Sequence, residues 1–309
     1  MKIILNILKQ QILGAINLAI PLLAIGYFYP NLFYSFIGRL ICAFCVGLYV
    51  FYLNYRITKN QTNVLSFIPS GKHKEEFEKI ILGCKMEPKT INLRYSYSNE
   101  MIAMCMFNTV AIDPLIWNQV DPDPEMLKAK NVIETHIIPV LTENQKIRIS
   151  RIREIFSDKV QNFIFKHELG HVFYNYTNKK LILMGIIAMI AAFIGVFTTI
   201  LLKQFGIMSV IIGIIIGGFT DLLLNYSSNV FFKLHQEKIA DIFAADYSSP
   251  EEIIATADFW EKHQYVCDSN SELGILRNVS PIILSGHYNG NDRAKFLREL
   301  AFRKQLVKN

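Results

Sequence analysis

His167 and His171 stand four residues apart in His167-Glu168-Leu169-Gly170-His171. On a helix that spacing sets both imidazoles on one face, on adjacent turns, where two nitrogens can grip a single metal ion. Glu168 leans beside the coordination position that the imidazoles leave open. A carboxylate there can take a proton from a metal-activated water and later pass it to a leaving amine. Zinc suits the pattern, because its catalytic sites carry three protein ligands, mostly imidazole and carboxylate, plus a water. A third protein ligand is therefore expected.

Glu237-Lys238-Ile239-Ala240-Asp241 offers one. Glu237 and Asp241 share a face of a predicted helix. With Glu237 on the metal, Asp241 can accept the free N–H of a ligating imidazole and fix its tautomer. In isolation the two also read as a solvated charge pair. Their place just after an apolar hairpin that begins close to His171 favours the metal reading. A third element, Gly286-His287-Tyr288-Asn289-Gly290-Asn291-Asp292-Arg293, sets a histidine six residues before an arginine in a Gly/Asn turn.

The elements that must position these residues follow from the apolar pattern. Ser157-Asp158 reads as a helix cap, and Val160 to Tyr176 then has helical apolar spacing. Leu181 to Leu202 runs 22 residues without a charge, where about 20 suffice to cross a bilayer. After Lys203-Gln204, Phe205 to Thr220 is again uncharged and Leu222 to Leu224 continue it past Asp221. A link this short makes the two spans a helical hairpin, apolar on every face, unlike a soluble one.

An earlier pair runs from Ile12 to Tyr29 and from Phe33 to Tyr52, turning at Pro30-Asn31. Arg39 lies near the start of its span, where it can snorkel to the headgroups. No A-x-A-like cleavage site follows the first segment, so it reads as an uncleaved anchor. Lys2, Lys9, Arg56, Lys59, Lys179, Lys180, Lys233 and Lys238 flank one side of the spans, against Arg39 and Lys203 on the other. The positive-inside rule then puts both termini and the large loop in the cytoplasm.

The expected organisation is a mainly α membrane protein with four transmembrane helices in two hairpins. Residues 1–55 form the first hairpin and 181–224 the second; 56–180 and 225–309 make one α+β domain in two pieces. Short strands are expected between Ile91 and Trp117, around Met101–Phe107 and Val110–Ile116. Asp121-Pro122-Asp123-Pro124 marks a loop, and the polar stretch to about Gln145 reads as an irregular insertion.

Composition narrows the partners. Hydrophobic residues make up 51% and charged ones 19%, against roughly 25% charged in soluble proteins. The net charge of +6 comes without a basic run or aromatic-basic interleaving, so the implied partner is a lipid bilayer and not nucleic acid. Five cysteines, Cys42, Cys45, Cys84, Cys105 and Cys267, form no paired CxxC set. They read as free thiols in a reducing compartment.

Together these residues resemble the M48 family of zinc metalloproteases, the HtpX-like membrane proteases and CaaX prenyl-protein endopeptidases. Members carry H-E-x-x-H, then transmembrane helices, then E-x-x-x-D with Ala before the Asp, then a C-terminal His with Arg six residues on. The chain matches in order at His167-Glu168-x-x-His171, Glu237-x-x-Ala240-Asp241, and His287 with Arg293. Two spans before the motif and two after it are similar to the bacterial HtpX-like branch. The resemblance implies a gluzincin-like (zincin) catalytic domain holding one Zn2+ per subunit on His167, His171 and Glu237. It implies a metalloendopeptidase of a bacterial inner membrane that hydrolyses membrane or misfolded proteins at the cytoplasmic face. Glu168 would be its general base, His287 its oxyanion donor, and Arg293 would hold the His287 segment in place. Departures are Tyr288 and Gly286 where the family has Pro and Ser or Thr, and Leu234 where an Arg is common.

Two rival readings use the same motif. A site-2-type intramembrane protease places its zinc motif inside an apolar span with an intramembrane Asp; Asp221 is the candidate, but Lys166, Asn175, Asn178 and Lys179 surround the motif. A non-catalytic zinc-binding scaffold would close its metal with four ligands, mostly cysteine. No cysteine accompanies these histidines.

Overall fold

The computed structural model describes residues 35–67, 72–96, 102–113, 116–117, 143–269 and 289–308. The expected first span, most of the 121–145 insertion and His287 lie outside the described residues. In chain order the helices are α1 (Phe36–Val64), α2 (Lys72–Gly83), α3 (Glu143–Ile155), α4 (Asp158–Phe173), α5 (Tyr176–Leu201), α6 (Ile207–Ser228), α7 (Leu234–Asp246), α8 (Pro250–Ser269) and α9 (Gly290–Lys308). The strands are β1 (Ser66–Phe67), β2 (Asn92–Tyr95), β3 (Ala103–Met106) and β4 (Thr109–Ile112). The chain is mainly helical with one small sheet.

Three helices among the described residues are long and apolar enough to cross a membrane: Phe36–Asn63, Tyr176–Leu201 and the run Met208–Asp246. The last has 39 residues, about 58 Å at about 1.5 Å per residue, nearly twice the hydrocarbon thickness of a bilayer. Its uninterrupted apolar part is α6; a π-helical turn over Asn229–Lys233 breaks the register before α7. The second span extends beyond its expected end at Tyr52, because no Gly or Pro from Leu53 to Val64 stops the helix.

The chain divides into two compact units. One comprises α1 as far as Lys59 with Asn178–Asn229; the other comprises Asn60–Thr177 with Val230–Asn309. In the first, glycines let helix backbones touch. A Cβ on Gly195 would lie 2.8 Å from the Gly213 carbonyl oxygen, and one on Gly217 would lie 3.1 Å from that of Ala191. Those pairings run in opposite directions, so α5 and α6 are antiparallel neighbours. Gly47 meets Gly185 in the same way, setting α1 against α5. Small residues at such contacts are how apolar helices gain packing when no water drives them together. The Arg39 guanidinium lies over the Phe197 ring, 5.8 Å from its centroid, and its Nε donates to the Ser35 carbonyl.

In the second unit the sheet order is β1-β2-β4-β3. β2 and β4 are parallel, while β1 and β3 pair antiparallel with their neighbours. Among the described residues β3 is thus an edge strand, joined to β4 by the two-residue turn Phe107-Asn108. Phe107 sits at φ 55, a region costly for an aromatic residue, and its N–H donates to the Thr177 hydroxyl at 2.9 Å. The Val110–Ile116 run ends as a strand at Ile112. Ile116 and Trp117 turn inward instead, and the indole N–H donates to the Ile102 carbonyl at 2.7 Å.

The core forms where α4 packs on the sheet. Phe77, Trp117, Phe156, Phe165 and Phe259 interlock with ring centroids 4.5–6.5 Å apart, an arrangement that adds about 0.5–1.5 kcal/mol per pair beyond area burial. A second cluster around Phe163, Ala244, Ile253 and Leu297 joins α4, α7, α8 and α9. Helix α4 is consequently buried from Val160 to His171, apart from half-buried Asn162. Ser157 stands at its N-cap but makes no side-chain capping bond. The helix ends at Phe173, short of the expected Tyr176, because Asn175 adopts a left-handed φ of 55. Asparagine tolerates that conformation better than most residues.

Candidate metal centre

Two helices build the centre by approaching closely. Gly170 lies between the histidines, and a Cβ there would stand 3.0 Å from the Ala240 Cα and 3.2 Å from the Phe243 Cβ. A side chain at 170 would push α7 away from α4. With hydrogen there, Glu237 reaches across to both histidines.

His167 Nε2 lies 3.4 Å from Glu237 Oε2, and His171 Nε2 lies 3.5 Å from Oε1. One ligand atom from each of the three residues falls within 4.8 Å of the others. Donors on a tetrahedron around zinc, with bonds of about 2.0–2.1 Å, stand about 3.3–3.4 Å apart. The spacing fits such an ion. Two imidazoles and one carboxylate also favour a transition-series ion over magnesium or calcium, which take oxygen. All three side chains are buried, so a divalent cation would relieve the crowding of polar atoms withdrawn from water.

Asp241 is fully buried, one turn beyond Glu237, and its Oδ1 lies 2.8 Å from His167 Nδ1. The carboxylate accepts that N–H, which leaves Nε2 facing Glu237 as the nitrogen that would ligate a metal once it has given up its proton. Arg293 holds Asp241 in turn, Nε donating to Oδ2 at 2.9 Å and Nη2 to Oδ1 at 2.6 Å. Two parallel bonds fix the carboxylate plane. Nη2 is also 3.1 Å from His167 Nδ1, but a nitrogen that gives its proton to Asp241 cannot accept another, so this is proximity only. The guanidinium lies 4.2 Å from the Trp260 ring centroid. Asn289 caps α9 by accepting the Asp292 N–H at 2.7 Å, and so starts the turn that carries Arg293.

The resemblance implies that Arg293 holds the His287 segment, which lies outside the described residues; among those described, Arg293 bonds Asp241. The structure brings His167, His171, Glu237, Asp241 and Arg293 into one buried group, with Glu168 buried on the same helix. His287 lies outside the described residues. Trp260, on α8, and Tyr176, whose ring centroid is 4.9 Å from that of His171, were missed. Neither carries a local signal, because each meets its partner through the fold.

Lys166 was read as a polar residue marking the membrane surface. It is buried instead, its ammonium 2.9 Å from Glu252 and 3.1 Å from the Ser248 hydroxyl. Burial pushes the Glu252 carboxyl up, but the hydrogen bond and charge of Lys166 outweigh it and hold the group below its usual range. Glu252 also closes a capping box with Ser249, each side chain taking the other's backbone N–H. Ser249-Pro250-Glu251-Glu252 is a readable helix-start signature that fixes α8 and, through it, Lys166 beside the motif.

Burial and the Arg293 guanidinium push the His167 imidazole down, but the charge and hydrogen bonds of Asp241 and Glu237 outweigh them and raise it to about 9. At neutral pH the metal-free centre therefore holds that proton, and a metal ion must expel it. The sign follows. Below about pH 9 metal affinity should rise about tenfold per pH unit from His167 alone, flattening above. Titration calorimetry in buffers of different ionisation heat should find about one proton released from this residue at pH 7–8. Equal affinity at pH 7 and pH 8 would contradict this coupling. Burial and the neighbouring Glu168 charge also push the Cys105 thiol on β3 well above its ordinary range, which leaves it protonated and unreactive. Cys42, Cys45, Cys84 and Cys105 are all free.

No family model, curated protein or solved structure matches the chain.

Proposed function

We propose that this protein is a membrane-anchored zinc-dependent endopeptidase, similar to the HtpX-like branch of the M48 family, acting on membrane or misfolded proteins at the cytoplasmic face. The buried His167, His171 and Glu237 triplet, with Asp241 on the outer nitrogen of His167 and Glu168 next in sequence, carries this reading. Zinc bound there would acidify a water and polarise the scissile carbonyl. Glu168 takes the proton of the attacking water on a carboxylate oxygen, then gives it to the amine nitrogen as the peptide bond breaks. Asp241 keeps His167 in the ligating tautomer, and Arg293 keeps Asp241 in place. His287, by the resemblance, would donate to the oxyanion.

Substrate binding falls to β3 in this reading. Among the described residues it is an edge of the sheet, it packs beside α4, and an extended peptide can add to it by backbone hydrogen bonds. Such pairing selects unfolded or extended chain and is indifferent to most side chains. Glu237, and not the intramembrane Asp221, completes the metal triplet, which favours this reading over a site-2-type protease.

Metal removal tests it. Full-length protein in detergent should cleave casein, lose that activity to background with 1,10-phenanthroline, and regain it with added zinc. Cleavage that persists through chelation would sink the proposal.

A further inference from the structure

We infer that Tyr176 is a catalytic residue of this centre, its phenol hydroxyl donating a hydrogen bond to the oxyanion that forms on the scissile carbonyl. The inference rests on the proteolytic reading above and adds to it a residue outside the recognisable motifs.

Three features of the backbone converge on this side chain. The left-handed Asn175 ends α4 and starts α5 at Tyr176, turning the chain back so that the phenol ring packs on His171, centroids 4.9 Å apart. The π-helical turn over Asn229–Lys233 presents Phe232, which stacks on the same ring at 5.8 Å and 13° between planes. Thr177, the next residue, accepts the Phe107 N–H at the tip of the β3–β4 hairpin. An αL residue and a π turn are uncommon devices, and π turns concentrate at functional sites. Here both serve to hold one tyrosine beside a metal-ligating histidine.

The Tyr176 ring packs on the His171 imidazole, and the next residue, Thr177, is bonded to the turn that ends β3, so the side chain stands between the ligand set and that strand. A carbonyl of a peptide paired with β3 and attacked by a water deprotonated at Glu168 would sit beside the His171 imidazole, on which the Tyr176 ring packs. Among the described residues the Tyr176 hydroxyl makes no hydrogen bond, so its proton is available to a ligand. A phenol is protonated at neutral pH and, aimed where negative charge develops in a site shielded from water, lowers the barrier without reorganising. The structural alternative is that the ring merely orients His171 by packing. Removing the hydroxyl alone separates the two.

The experiment compares wild type and Tyr176→Phe, both full-length in detergent and zinc-loaded. The variant keeps the stacking, so metal content and KM for casein should be unchanged while kcat falls about a hundredfold. A readout independent of turnover is the affinity of an N-blocked phosphinic pseudotripeptide, whose tetrahedral P–O− resembles the oxyanion. It should weaken by a similar factor, whereas acetohydroxamate, which needs only the metal, should bind both proteins equally. Unchanged kcat and phosphinate affinity in the variant would overturn the hydroxyl's role and leave the protease reading intact. A wild type that cleaves nothing, with phosphinate affinity still lost in the variant, would overturn proteolysis and leave Tyr176 as an oxyanion donor.

Discussion

Glu168→Gln should leave metal content untouched and lower casein turnover by about a hundredfold to ten-thousandfold, the range that general acid–base groups supply. The amide has the size and shape of the carboxylate, so the burial of residue 168 on α4 is preserved. It has lost the capacity to take a proton. Water attacking a peptide carbonyl must shed a proton, and the departing amine must gain one. In the proposed mechanism Glu168 does both, and Gln can do neither. Because residue 168 is not in the ligand triplet, zinc stoichiometry by atomic absorption should match wild type. That second readout gives the variant its value: a merely misfolded protein would lose metal and activity together. Equal cleavage by wild type and variant would make the centre a structural zinc site on a membrane scaffold.

The metal triplet is legible in sequence because its spacing is local on each piece. His167 with His171, and Glu237 with Asp241, are each one helical turn apart, a pattern visible before any fold is known. What joins the two pairs is only partly legible. Gly170 stands inside the motif, but its reason emerges only against Ala240, 70 positions on. The family resemblance ties Arg293 to the His287 segment; its bond to Asp241 follows from the packing of α9 on α7 and α8, which no periodicity encodes. The same holds for Lys166. A lysine next to a motif reads as solvated, and only the capping box at Ser249 delivers Glu252 to neutralise it.

The sheet shows the limit from the other direction. Apolar runs between Ile91 and Trp117 announce strands, yet β1 is two residues long and outside that window. The parallel pairing of β2 with β4 depends on contacts that strand propensity does not specify. The edge position of β3, on which the substrate argument rests, is therefore a property of topology. Membrane helices are the opposite case. Their signal is length and absence of charge, and α1, α5 and α6 are found where those criteria place them.

Glu237→Ala should weaken zinc binding far more than any change in the surrounding partners. Outer partners such as Asp241 typically cost about 10–100-fold in metal affinity when removed, and a direct ligand must exceed that. Among the described residues Glu237 is the carboxylate that stands between the two imidazoles, 3.4 and 3.5 Å from their nitrogens. Deleting it leaves a divalent cation in a buried site with two neutral imidazoles and no carboxylate ligand among the described residues. The cost of such an uncompensated charge is several kcal/mol. Glu237→Gln should fall between, since an amide oxygen can coordinate without supplying charge. Thermal unfolding offers a check that needs no substrate. Saturating zinc raises the wild-type midpoint by RT ln(1 + [L]/Kd), so the alanine variant should need more than about a hundredfold more zinc for the same rise. The comparison with Asp241→Asn then decides the assignment. If Glu237→Ala shifts the zinc titration no more than Asp241→Asn does, Glu237 is not a ligand and the third coordination position belongs to another residue.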